Sequence, residues 1–203
     1  LFLFITLLSF LPALLISLTC YVQIVIVLSL IRQAIGTATV PPNMVITGLS
    51  LIITLFIMSP VIDQVNTEAY TPYKEGEIHL EEAIEKAKIP IHTFLVNNAG
   101  ENYVEMYAKI AGVEDEIESK EDVPFFVAAA ANVTTQIVKA LGIGAVVMLG
   151  FIVIDMVVSS VLMLLGMFML PPQMISLPIK IITFLAMGGF ELILGITLKE
   201  IIV

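Results

Sequence analysis

Four ionisable residues stand inside apolar runs: Lys139, Asp155, Lys180 and Glu191. An ion in hydrocarbon is costly, so such side chains face neighbouring helices or water. Two roles fit Asp155. It could relay protons in a transporter, or it could pair with a cation or a backbone group on an adjacent helix. No second acid stands close to it in sequence to extend a relay, which favours the pairing role. His79 and His92 lie among polar residues without ligand spacing, so no metal site is expected. Asn132-Val133-Thr134 fits the glycosylation pattern, a short match that chance supplies often. No phosphate-cradling glycine loop and no nucleophile–base arrangement is present. The chemistry points to a protein that is not an enzyme and needs no cofactor.

The elements that position these residues are apolar. Of 203 residues, 59% are hydrophobic and 13% charged, against about 25% charged in ordinary soluble domains. That balance indicates a membrane protein. The net charge of −9 argues against nucleic acid as a partner. The single cysteine, Cys20, can form no internal disulfide. Leu1 rather than Met opens the sequence, so a preceding segment is expected, a cleaved signal peptide among the options.

Residues 1–31 are apolar almost throughout, longer than the roughly 20 residues that span a bilayer. Pro12 either kinks this run or starts its helix. The run stops at Arg32-Gln33, and residues 34–43 form a turn around Gly36 and Pro41-Pro42. Residues 44–62 are a second spanning-length segment with Pro60 near its end. Residues 63–122 carry all the acids except Asp155, Glu191 and Glu200. Within them the spacing predicts an amphipathic helix over 78–96, bent at Pro90, and a second over 101–111 stopped by Gly112. Residues 114–122 read as a solvated acidic loop. Residues 123–170 form a long helical stretch, broken or bent near Gly142, Gly144 and Gly150. Residues 174–203 are the last apolar segment.

Between these last two lies Met163 to Lys180, MLLGMFMLPPQMISLPIK. Pro171-Pro172 must interrupt a helix, which then restarts at Ile175. The result is a tight hairpin with Met167, Phe168 and Met169 just before its tip. Methionine is soft and unbranched, so these side chains serve either as core filler or as an adaptable contact surface. Arg32 marks the first short loop as cytoplasmic. That places residues 63–122 and the C-terminus on the far side and returns the Pro171-Pro172 tip to the cytoplasmic side. The fold class is all-α, in three parts: an N-terminal hydrophobic hairpin (1–62), an acidic α-helical subdomain (63–122) and a C-terminal hairpin (123–203).

The chain resembles the FliP/SctR family of type III export gate proteins over essentially its whole length. The resemblance rests on Ile26–Thr37 (IVLSLIRQAIGT), Pro41-Pro42-Asn43 and Phe56–Val61 (FIMSPV). It continues through Ile152–Asp155 (IVID), Leu165–Pro172 (LGMFMLPP) and Ile175–Lys180 (ISLPIK). Ser59–Tyr73 (SPVIDQVNTEAYTPY) is closer to the flagellar branch than to the injectisome branch.

The resemblance implies a helical ring of five copies, joined by FliQ-like and FliR-like subunits and served by FlhB-like and FlhA-like components. It implies a place in the bacterial inner membrane at the flagellar basal body, with residues 63–122 periplasmic. The cargo would be unfolded export substrates, and helices need not span a bilayer once assembled. The methionine-rich loop of the family, here Met167, Phe168 and Met169 with Pro171 and Pro172 at the tip, would seal the pore. Lys180, Asp155, Gln136 and Arg32 would be polar contacts between subunits. Three positions depart from the family pattern. Gln23 stands for an arginine, Gln136 for a glutamate, and Gly188-Gly189-Phe190 for Asp-Gly-Trp. Without an acid at 136, Lys180 needs another partner, a glutamine carbonyl being one candidate. The injectisome counterpart, and more remotely a small ion or solute transporter using Asp155, are the alternative functions.

Overall fold

The computed structural model describes residues 16–37 and 39–202, and these are all-α. The elements are α1 (Tyr21–Ile35), α2 (Asn43–Val65), a π-helical turn (Asn66–Tyr70), α3 (Thr71–Glu75), α4 (Leu80–Asn98) and α5 (Glu101–Ala111). Two 3-10 turns follow (Glu114–Glu116 and Lys120–Asp122), then α6 (Phe125–Leu164), α7 (Gln173–Ala186) and α8 (Gly189–Ile202). The apolar run expected over residues 1–31, with Pro12 in it, lies largely outside the described residues.

Among the described residues, two helical stretches are long and apolar enough to cross a membrane: Asn43–Glu75, of 33 residues, and Phe125–Leu164, of 40. The pair α7 and α8 makes a third if it is one span bent by 62°. Contacts divide the chain into two compact units.

The first unit holds Ile52–Val138 together with the residues up to Val22. Its core is Leu95, Val96, Ala108, Val123, Val127 and Ala128. In α4 Ala83, Pro90, Leu95 and Val96 turn inward and in α5 Ala108, whereas Leu80, Ile84 and Ile110 stay exposed; Glu81, Glu82 and Glu101 occupy first turns, where the helix dipole favours acids. Three hydrogen bonds tie the layer together. His92 Nε2 lies 2.6 Å from the Val123 carbonyl, the Gly100 N–H donates to Thr135 Oγ1 at 2.7 Å, and Tyr107 and Thr134 hydroxyls meet at 2.9 Å. Helix α5 begins and ends where the sequence predicts, with Gly112 in the left-handed region after it. Pro90 is buried inside an uninterrupted α4.

The second unit holds Gln23–Leu51 and residues from Lys139 onward. The three glycines expected to break the long stretch do not: α6 runs through Gly142, Gly144 and Gly150. Each glycine costs only about 1 kcal/mol in a helix. At Gly144 a close approach explains the residue, because a Cβ there would collide with the Leu30 side chain on α1. The expected single segment 174–203 is instead two helices, parted at Met187-Gly188 where Gly188 takes a positive φ. The Phe184 and Phe190 rings meet edge-on across that break, 5.0 Å apart.

Candidate functional site in the hairpin of residues 155–180

The turn between α6 and α7 is built from backbone. Helix α6 ends because Gly166 adopts φ +75°, which no side-chain-bearing residue takes without strain. Its N–H then donates to the Met163 carbonyl at 3.1 Å, and the Met167 N–H to the Leu162 carbonyl at 2.9 Å. This paired closure satisfies carbonyls that the helix end leaves free. The prolines were expected to do the breaking. They start the next helix instead: Pro172 is already α-helical in φ and ψ, and α7 begins at Gln173 rather than Ile175. Proline suits that place because the first helical N–H groups have no partner within the helix.

What the turn presents is bare. Phe168 is 79% and Met169 96% exposed, and Met163, Leu164, Leu165 and Met174 are exposed beside them. A cluster this apolar, left uncovered, marks a contact surface rather than core. The core-filler reading of Met167, Phe168 and Met169 does not describe this chain on its own.

About two turns of helix from the tip, α6 and α7 are joined by charge. Lys180 is buried at 6% exposure, and its Nζ lies 2.6 Å from Asp155 Oδ2. The same ammonium donates to the Ala34 carbonyl in the last turn of α1 at 3.4 Å and sits 5.9 Å from the centre of the Phe151 ring. Its partner is therefore an aspartate and a helix-terminal carbonyl, not the glutamine carbonyl that Gln136 suggested. Gln136 is buried elsewhere, donating to the Thr19 carbonyl at 2.9 Å. Arg32 closes the turn that follows α1: its Nη1 donates to the Pro41 carbonyl at 3.1 Å and to Asn43 Oδ1 at 2.6 Å. Among the site residues, then, the structure brings Lys180 and Asp155 together, gives Gln136 the distant Thr19 carbonyl, and gives Arg32 the Pro41 carbonyl and the Asn43 side chain.

The other singled-out residues resolve simply. Lys139 donates to the Glu200 carbonyl at 3.2 Å, and Gln23 to Glu200 Oε2 at 3.3 Å. Glu191 is exposed. Asn132 is fully buried, which withholds it from modification. No group of three or more metal-binding side chains occurs among the described residues.

Sequence reasoning missed the Ala34 carbonyl and the aromatic set of Phe151, Phe184 and Phe190. It also missed a signal for the Lys180 partner. Asp155 and Lys180 stand on opposite sides of the proline-marked turn at similar distances in sequence from it, so a hairpin sets them near each other.

Membrane-length apolar helices, an acidic helical layer and an exposed apolar tip define a helical membrane-associated protein. The chain belongs to the FliP family, which residues 4–197 match. It is 44% identical over 190 residues to the flagellar biosynthetic protein FliP of Pectobacterium carotovorum, covering 94% of this chain and 73% of that one. It is 41% identical to the Bacillus subtilis protein of the same name, covering 98% of this chain and 90% of that one. Against the Buchnera aphidicola (Baizongia pistaciae) FliP it is 41% identical over 94% of this chain, but spans only about half of that protein, 53%.

Proposed function

We propose that this chain is a core subunit of the flagellar type III export gate. It passes unfolded flagellar substrates and performs no chemistry of its own. Five copies form a helical ring with FliR-like and FliQ-like subunits in the bacterial inner membrane, at the flagellar basal body, beside FlhA-like and FlhB-like components. Residues 63–122 face the periplasm. Met167, Phe168 and Met169 from the five copies close the pore, with Pro171 and Pro172 shaping the tip.

One observation carries this reading: in a FliP-family chain, the Met-Phe-Met turn is closed by backbone bonds and leaves Phe168 and Met169 exposed. Soft side chains of that kind can pack against their own copies when the pore is empty. They can also yield to polypeptides of varied sequence. The relatives named above are flagellar, which favours the flagellar over the injectisome reading. A relay role for Asp155 would have to break its bond to Lys180 in each cycle.

Native mass spectrometry of the full chain tests the proposal, first alone and then with its FliQ-like and FliR-like neighbours. The expected result is a discrete pentamer that takes up one FliR-like and several FliQ-like chains. A monomer or dimer indifferent to those neighbours would sink it.

A further inference from the structure

Toward the tip, Val158 and Leu162 of α6 and Ser176 of α7 are buried. On one side of the Lys180–Asp155 pair lies the loop, whose own bonds are the backbone closures at Met167 and Leu170. On the other side lies an apolar pocket of about 270 Å³, lined among others by Gly150 and Ile154 of α6 and by Thr183 and Met187 toward the end of α7. Between the two, Lys180 of α7 reaches Asp155 of α6 and the Ala34 carbonyl of α1 at once. The Phe151 and Phe184 rings, 6.3 Å apart, pack beside it. A buried ammonium has no cheap alternative to these partners, so the three helices are held in one register. An ammonium is also well placed at a helix C-terminus, where unpaired carbonyls concentrate negative charge.

We infer that the Lys180–Asp155–Ala34 junction is a clasp that sets the position of the Met167–Met169 turn, making Lys180 and Asp155 positioning residues for the seal. This rests on the sealing role proposed above. The seal requires the turn to take one position on its own chain in every copy. Phe168 and Met169, 79% and 96% exposed, have too little packing of their own to set that position. The clasp can, because it fixes α7 along α6, and the turn is the short link between them.

The test uses a property of the chain: it contains no tryptophan. Replacement Phe168→Trp places a single fluorescent indole on the turn of the full chain, assembled in lipid nanodiscs. Three backgrounds are compared by indole anisotropy, by native mass spectrometry and by ion conductance. Lys180→Arg keeps a cation and is expected to keep the anisotropy, the assembly and the seal. Asp155→Asn with Lys180→Met removes both charges and strands neither. It is expected to assemble, yet to lower the anisotropy and leak ions, because the clasp is gone while no buried charge is left behind. Unchanged anisotropy in that double variant would overturn the clasp. So would its failure to assemble while Lys180→Arg assembles, since the pair would then be an assembly contact. Lowered anisotropy without leak would uphold the clasp and sink the sealing role instead.

Discussion

Residues 101–122 and residues 163–180 both turn much of their surface outward, with opposite chemistry. In the first stretch most outward residues are charged, among them Glu101, Glu105, Glu114, Glu118, Lys120 and Asp122, with Met106 and Ile110 as apolar exceptions. Beneath them Val104, Tyr107, Ile117 and Val123 pack on a conventional core around Leu95. In the second stretch most outward residues are apolar, and the buried ones are the polar Ser176 and Lys180, the latter paired with Asp155. The acidic stretch puts most of its charge toward water and much of its hydrocarbon on the core. The hairpin is inverted, which makes sense only where its surroundings are lipid or other protein chains.

The inversion predicts where each region is fragile. Asp155→Asn leaves the buried Lys180 ammonium short of its counter-charge. It should cost about 3 kcal/mol, the low end for a broken buried pair because Asp155 keeps 37% of its side chain exposed. Unfolding in detergent would measure it, and a cost near zero would mean that the hairpin does not depend on charge. Leu95→Ala removes a fully buried side chain from the acidic subdomain and should cost about 2–4 kcal/mol. Hydrogen exchange should show the loss in α4 and α5 while α7 keeps its protection. Spread of the effect into α7 would contradict two independently stabilised regions.

Gly166→Ala puts a side chain where φ is +75° and should cost about 1–2 kcal/mol, felt as fraying at the end of α6. The smallest effect belongs to the acidic turn. The Ser119 hydroxyl and then the Ser119 N–H, both donating to Asp122, hold its carboxyl below the usual carboxylate range. A depressed carboxyl stabilises the fold above its ordinary titration range, and that contribution is lost as pH falls through the lowered value. Ser119→Ala should therefore shift the NMR titration of Asp122 upward, with little change in the rest of the chain.

How much of this could be read beforehand differs between the regions for the same reason. Helix α5 was legible to the residue, because Glu101 and Gly112 are local signals that act through the backbone. The exposed acidic turns were legible from charge alone. In the apolar half most positions are hydrophobic, so periodicity carries little information there. Gly142, Gly144 and Gly150 looked like breaks, yet lie in one helix because an uninterrupted ladder satisfies the backbone where water is scarce. The bend at Met187-Gly188 passed unnoticed in uniformly apolar sequence. Of the site, the Met-Phe-Met turn stood out by composition and by its prolines. The pairing of Lys180 with Asp155 is a matter of hairpin register. That register depends on Pro172 starting α7, where the sequence reading had the prolines only ending a helix.

Membrane conductance of the assembled gate with Met167, Phe168 and Met169 all replaced by alanine tests the central claim most directly. These side chains are exposed within the chain, so the variant should fold and assemble as the parent does, with a stability change of no more than about 0.5 kcal/mol. A steady leak of ions or small solutes through an intact assembly is the predicted result. An assembly that stays as tight as the parent would contradict the seal and leave the bare tip as a contact for some other partner.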